Sequence, residues 1–143
     1  MPEPAIPDDR HSALFAAAVT RMGPAKAEEW LKGIKANLAR KPDGGDRDQV
    51  KAIWAGECDI AVGNTYYIGQ MMADPEQRPA AEAVNIVFPT FTDGGTHVNV
   101  SAAAIARNAP NKDNGVKLIE YMLGDKAQTL YADGNFEYPV NPA

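Results

Sequence analysis

Prolines and glycines cut this chain so often that a helical bundle is hard to build from it. There are 11 prolines and 12 glycines in 143 residues, and the pieces between them suit short helices alternating with short strands. Strands separated by helices indicate a mixed α/β layer rather than a repeat array. The length fits one ordinary domain, with 45% hydrophobic residues to furnish a core.

The pieces can be read in order. Residues 1–11 carry three prolines and three acids and little to bury, which predicts a flexible lead. Ser12 is a good helix start, and the pattern through Leu14, Phe15 and Val19 runs to Gly23. Pro24 opens a second helix whose Trp30, Ile34 and Leu38 recur at helical spacing. After the loop Lys41–Asp46, a third helix runs from Arg47 to about Ala55. Asp59–Gly63 reads as a buried strand, and Tyr66–Met72 as a helix stopped by Asp74-Pro75. Arg78–Ala83 reads as a short turn. Val84–Phe88 and His97–Val100 read as further strands. Asn111 caps a helix bearing Val116, Leu118, Ile119, Met122 and Leu123 on its inner side. Asp125 caps another with Ala127, Leu130 and Tyr131, closed by Gly134, and the tail from Phe136 to Val140 is extended.

Composition removes several classes of function. The formal net charge is −5 and lysine and arginine nowhere cluster, so nucleic acid has no electrostatic footing. No apolar run approaches the ~20 residues of a membrane span, so no membrane insertion is expected. The single cysteine, Cys58, excludes an internal disulfide. Two distant histidines, His11 and His97, leave a zinc site almost no ligands. Enzyme signatures are also wanting: there is no nucleophile elbow, phosphate loop or paired-carboxylate arrangement, so no catalytic activity is expected.

The chemistry-bearing feature is the pair Tyr66-Tyr67, which follows the strand-like run and the turn Gly63-Asn64-Thr65. Phenolate oxygens are hard anionic donors suited to ferric iron. A tyrosine titrates near pH ~10, and a bound cation removes that proton far lower. Successive strand residues face opposite ways, so both phenols reach one metal only if they lie past the strand, in a turn or first helical turn. The alternative is structural, one ring packed in the core and the other on the surface.

Several runs together carry a family resemblance. They are Gly44-Gly45-Asp46-Arg47-Asp48-Gln49, Gly56-Glu57-Cys58-Asp59-Ile60-Ala61, Asn64-Thr65-Tyr66-Tyr67 and Gly95-Thr96-His97-Val98-Asn99-Val100-Ser101. Ala109-Pro110-Asn111-Lys112 and the stretch from Ala127-Gln128 through Asn135-Phe136-Glu137-Tyr138-Pro139-Val140 complete the set. In that order they resemble the ferric iron-binding solute-binding proteins of bacterial ABC iron importers, from about Ser12 to the C-terminus. The resemblance implies an α/β, type II periplasmic-binding-protein-like lobe, incomplete, with a crossover strand and helices from the second lobe. Residues 12–95 would form the tyrosine-bearing region and 96–143 the crossover strand and helical part of the opposite lobe.

The resemblance further implies Fe(III) held by Tyr66 and Tyr67, with a synergistic anion such as carbonate. Asn64 is an anion contact by the same token, or a turn residue. Asp46 and Arg47 orient an anion or cap a helix. The implied location is the periplasm, and the implied partners are ferric iron and an ABC permease. Members often place another tyrosine where this chain has Phe15 or Leu14, and neither ligates a metal. An alternative outcome is a non-binding truncated lobe that self-associates as a homodimer through its exposed interface.

Overall fold

The structure, a computed structural model, describes residues 12–91 and 94–141. The expected lead at 1–11 lies outside the described residues. Helices α1 (Ser12–Met22) and α2 (Pro24–Ala36) form a hairpin. Its turn is a single glycine: Gly23 takes φ +80, donates to Val19 O at 3.0 Å and accepts from Ala27 N–H at 3.0 Å. Pro24 then starts α2 where a missing N–H does no harm. Phe15 meets Trp30 edge-to-face across the hairpin, ring centroids 6.3 Å apart.

The core gathers around α3 (Asp46–Trp54), α4 (Thr65–Ala73) and α5 (Arg78–Glu82). Met71 of α4 is fully buried, against Val50 of α3 and Ala80 and Ala81 of α5, with Ile68 and Val84 at the margin. Alanines on α5 let the three short helices approach closely. Burial of one such methionine contributes on the order of 1.5–3 kcal/mol.

The start of α3 is set by a tight reciprocal turn. Gly45 N–H donates to Asp48 Oδ2 at 2.8 Å while Asp48 N–H donates to Gly45 O at 3.0 Å. Gly44 sits at φ +73, and a Cβ there would lie 2.7 Å from Asp48 Cγ, so only glycine fits. Asp46 and Asp48 in the first turn also complement the helix dipole.

Helix α6 (Lys112–Leu123) and helix α7 (Asp125–Leu130) share Gly124 as end and start. The expected capping by Asn111 and Asp125 side chains is absent: Asn111 makes no capping bond, and Asp125 is already inside α7. Buried Gln128 fastens the tail instead. Its Nε2 donates to Met122 O and its Oε1 accepts from Val140 N–H, both at 2.7 Å. A π-turn, Tyr131–Asn135, continues α7.

The other helices fall close to where the sequence places them, Arg78–Glu82 is a helix where a short turn was expected, and the three strands do not form. Residues 59–63, 84–88 and 97–100 belong to no ladder, and there is no strand among the described residues. A strand exists only through a neighbour's hydrogen bonds, and no described segment supplies one. Ile60, Val87 and Val100 are 85%, 80% and 75% exposed, where a buried sheet was expected. The inner side expected for α6 is only partly covered: no residue of that helix is buried, Ile119 and Met122 are half-buried, and Val116, Leu118 and Leu123 are exposed. No described helix is long and apolar enough to cross a membrane.

Candidate metal centre

Helix α4 carries both tyrosines in its first turn, past the extended run. Asn64 occupies the N-cap position in extended conformation, and Tyr67 N–H donates to Asn64 O at 3.3 Å. Consecutive helical residues are ~100° apart around the axis, so neighbouring phenols diverge less than they would in a strand. The Tyr66 and Tyr67 ring centroids are 4.6 Å apart, with planes tilted by 47°. Both side chains are half-buried.

Two residues from the start of α3 reach this turn. Asp46 is only 6% exposed. Its Oδ2 accepts from Asn64 N–H at 2.7 Å and from Asn64 Nδ2 at 2.9 Å, so one buried carboxylate ties α3 to the entry of α4. Charged acceptors make the stronger hydrogen bonds. Arg47 lies over the Tyr67 ring at 5.5 Å from its centroid. Its Nη2 donates to Gln70 Oε1, while its Nε is buried without a hydrogen-bond partner. A small cleft of about 120 Å³ opens beside Asp46, Asn64 and Tyr67.

At the far end of α4, Asp74 is the C-cap residue. Hydrogen bonds from the Gln77 side chain and then from Glu76 N–H hold its carboxyl below the ordinary value of 3.8.

All five predicted site residues, Asp46, Arg47, Asn64, Tyr66 and Tyr67, thus meet at the junction of α3 and α4. His97 lies in the irregular segment after Gly94-Gly95, its Nε2 buried and without a hydrogen-bond partner. No group of three or more His, Cys, Asp or Glu converges among the described residues. Gln70 was missed from the sequence, although its position three residues beyond Tyr67 marks it as a helical neighbour.

Comparison with known proteins identifies the family. Residues 12–129 match the family described as bacterial extracellular solute-binding protein. The chain belongs to that family. Among solute-binding relatives, iron uptake protein A1 of Synechocystis is 39% identical over 135 residues, 93% of this chain and 38% of the relative. The major ferric iron-binding protein of Neisseria meningitidis serogroup B is 30% identical over 126 residues, 88% of this chain and 37% of the relative.

Solved structures agree. Apo ferric ion-binding protein A of Pasteurella haemolytica superposes with a TM-score of 0.91 at 52% identity, covering 95% of this chain and 43% of that one. A Trichodesmium protein solved with iron and citrate gives 0.84 at 39% identity, covering 93% and 43%. The fold is therefore an incomplete lobe of the type II periplasmic-binding class. The chain spans about two fifths of the relatives' length, and the unladdered runs fall within the span that matches.

Proposed function

We propose that this chain binds ferric iron for uptake, as the solute-binding component of an ABC-type importer or as part of one, with Tyr66 and Tyr67 as the metal ligands. The observation that carries this reading is the pairing of the two rings in the first turn of α4, centroids 4.6 Å apart. Relatives that are an iron uptake protein and a ferric iron-binding protein support the choice of metal. The role is that of a carrier and not a catalyst, acting in the periplasm and delivering to a permease. Two phenolates leave ferric iron short of donors, and a small anion such as carbonate, with water, completes the set. Asn64 and Arg47 contact that anion, and Asp46 serves by holding Asn64.

A titration with ferric nitrilotriacetate tests the proposal, because tyrosinate on ferric iron produces an intense visible charge-transfer band. The expected outcome is a saturable band in the native chain and none in the Tyr66→Phe, Tyr67→Phe double variant. An equal band in both would sink the assignment of ligands. Removal of bicarbonate from the buffer should weaken the band if the anion is carbonate.

The exposed apolar runs around Ile60, Val87 and Val100 favour a second reading, in which the lobe self-associates as a homodimer. Exposed apolar patches of this kind invite association with another chain. Sedimentation across a concentration series distinguishes the two readings: a constant monomer mass rejects the dimer.

A further inference from the structure

The C-terminal π-turn delivers one residue to the helix that bears the tyrosines. Phe136, at the end of that turn, is the only non-glycine with positive φ among the described residues, at φ 59 and ψ 34. This left-handed conformation disfavours a bulky side chain. It is held by Phe136 N–H donating to Ala132 O and Glu137 N–H donating to Tyr131 O, each at 3.2 Å.

The strained backbone brings the ring down onto Gly69 of α4. A Cβ built on Gly69 would lie 2.7 Å from Phe136 Cδ1 and 2.8 Å from Phe136 Cβ, so the ring seats directly against the bare backbone of that glycine. Ile68 and Met71 join the core on another side of the helix. Gly69 is three residues beyond Tyr66, which makes the two surface neighbours along the helix.

We propose that Phe136 is a positioning residue for the tyrosine pair: seated on Gly69, it fixes the rotation of α4 and with it the direction of the Tyr66 phenol. This deepens the iron-binding proposal and rests on it for its consequence in metal affinity. The contact joins residues 96–143 to the tyrosine helix, so the C-terminal part of the chain takes part in shaping the centre without offering it a ligand.

The test uses the whole chain and two readouts, one of which needs no iron. In the metal-free protein, tyrosine-ring NMR signals are assigned with Tyr66→Phe and Tyr67→Phe. Phe136→Asn, which tolerates the left-handed backbone but lacks the ring, should displace the Tyr66 signal. Gly69→Ala, which blocks the seat, should do the same, and Phe136→Tyr should restore the native position. With ferric nitrilotriacetate, Phe136→Asn and Gly69→Ala should lower affinity ~10–100-fold, the range for lost supporting contacts around a metal, and shift the charge-transfer band.

A Tyr66 signal unchanged in both variants overturns the proposal, whatever iron does. Absence of the band from the native chain overturns the iron reading alone, and the ring signals still decide the positioning role. Should Phe136→Asn fail to fold, Phe136→Leu and Gly69→Ala carry the same comparison.

Discussion

Single side chains hold this chain together at points where little else does. Met71 is the one large residue that is completely buried among those described. Met71→Ala should destabilise by about 2–5 kcal/mol, the usual range for emptying such a site, read from urea unfolding followed by circular dichroism. Gln128 is buried and bonded at both ends of its amide. Gln128→Leu leaves Val140 N–H and Met122 O without partners and should cost ~1–3 kcal/mol, with the tail losing amide protection first. Asp74 has a depressed pKa, so the stability it contributes is fully present above its ordinary value of 3.8 and is lost as pH falls through the lower folded value. In Asp74→Asn the acid limb of the unfolding curve should flatten over that window.

At the level of elements, the helices could be read from the sequence because their signals are local. Gly23-Pro24 at the hairpin, Gly44-Gly45 before α3 and Gly56 after it are punctuation that works without tertiary help. The start of α4 was legible for the same reason, and the placement of Tyr66 and Tyr67 past the extended run came with it. Strand signals are different in kind. Val84–Phe88 and His97–Val100 have the right residues, but a ladder needs a neighbour that a propensity does not provide. Phe136 on Gly69 was illegible for another reason. The two residues are far apart in sequence, and nothing in Asn135-Phe136-Glu137 announces a left-handed turn. Hydrogen exchange should reflect this division: the amides of α3 and α4 protected, and those of 59–63, 84–88 and 97–100 exchanging close to unstructured rates.

For the whole molecule, the balance is between a small core and a large exposed apolar area. The described core cluster has four buried members, two of them alanine, while Ile60, Val62, Val87, Val98 and Val100 all face solvent. A net charge of −5 sets copies apart by repulsion, and that repulsion reaches only ~8 Å at physiological ionic strength. The exposed runs should therefore give a stored sample a clock, as copies associate through them. It should run faster with added salt and with protein concentration, and light scattering in a matrix of the two would record it. Its rate should fall when Val87→Lys places a charge in the middle of one run, which would turn an accident of exposure into a handle on how long the protein remains usable.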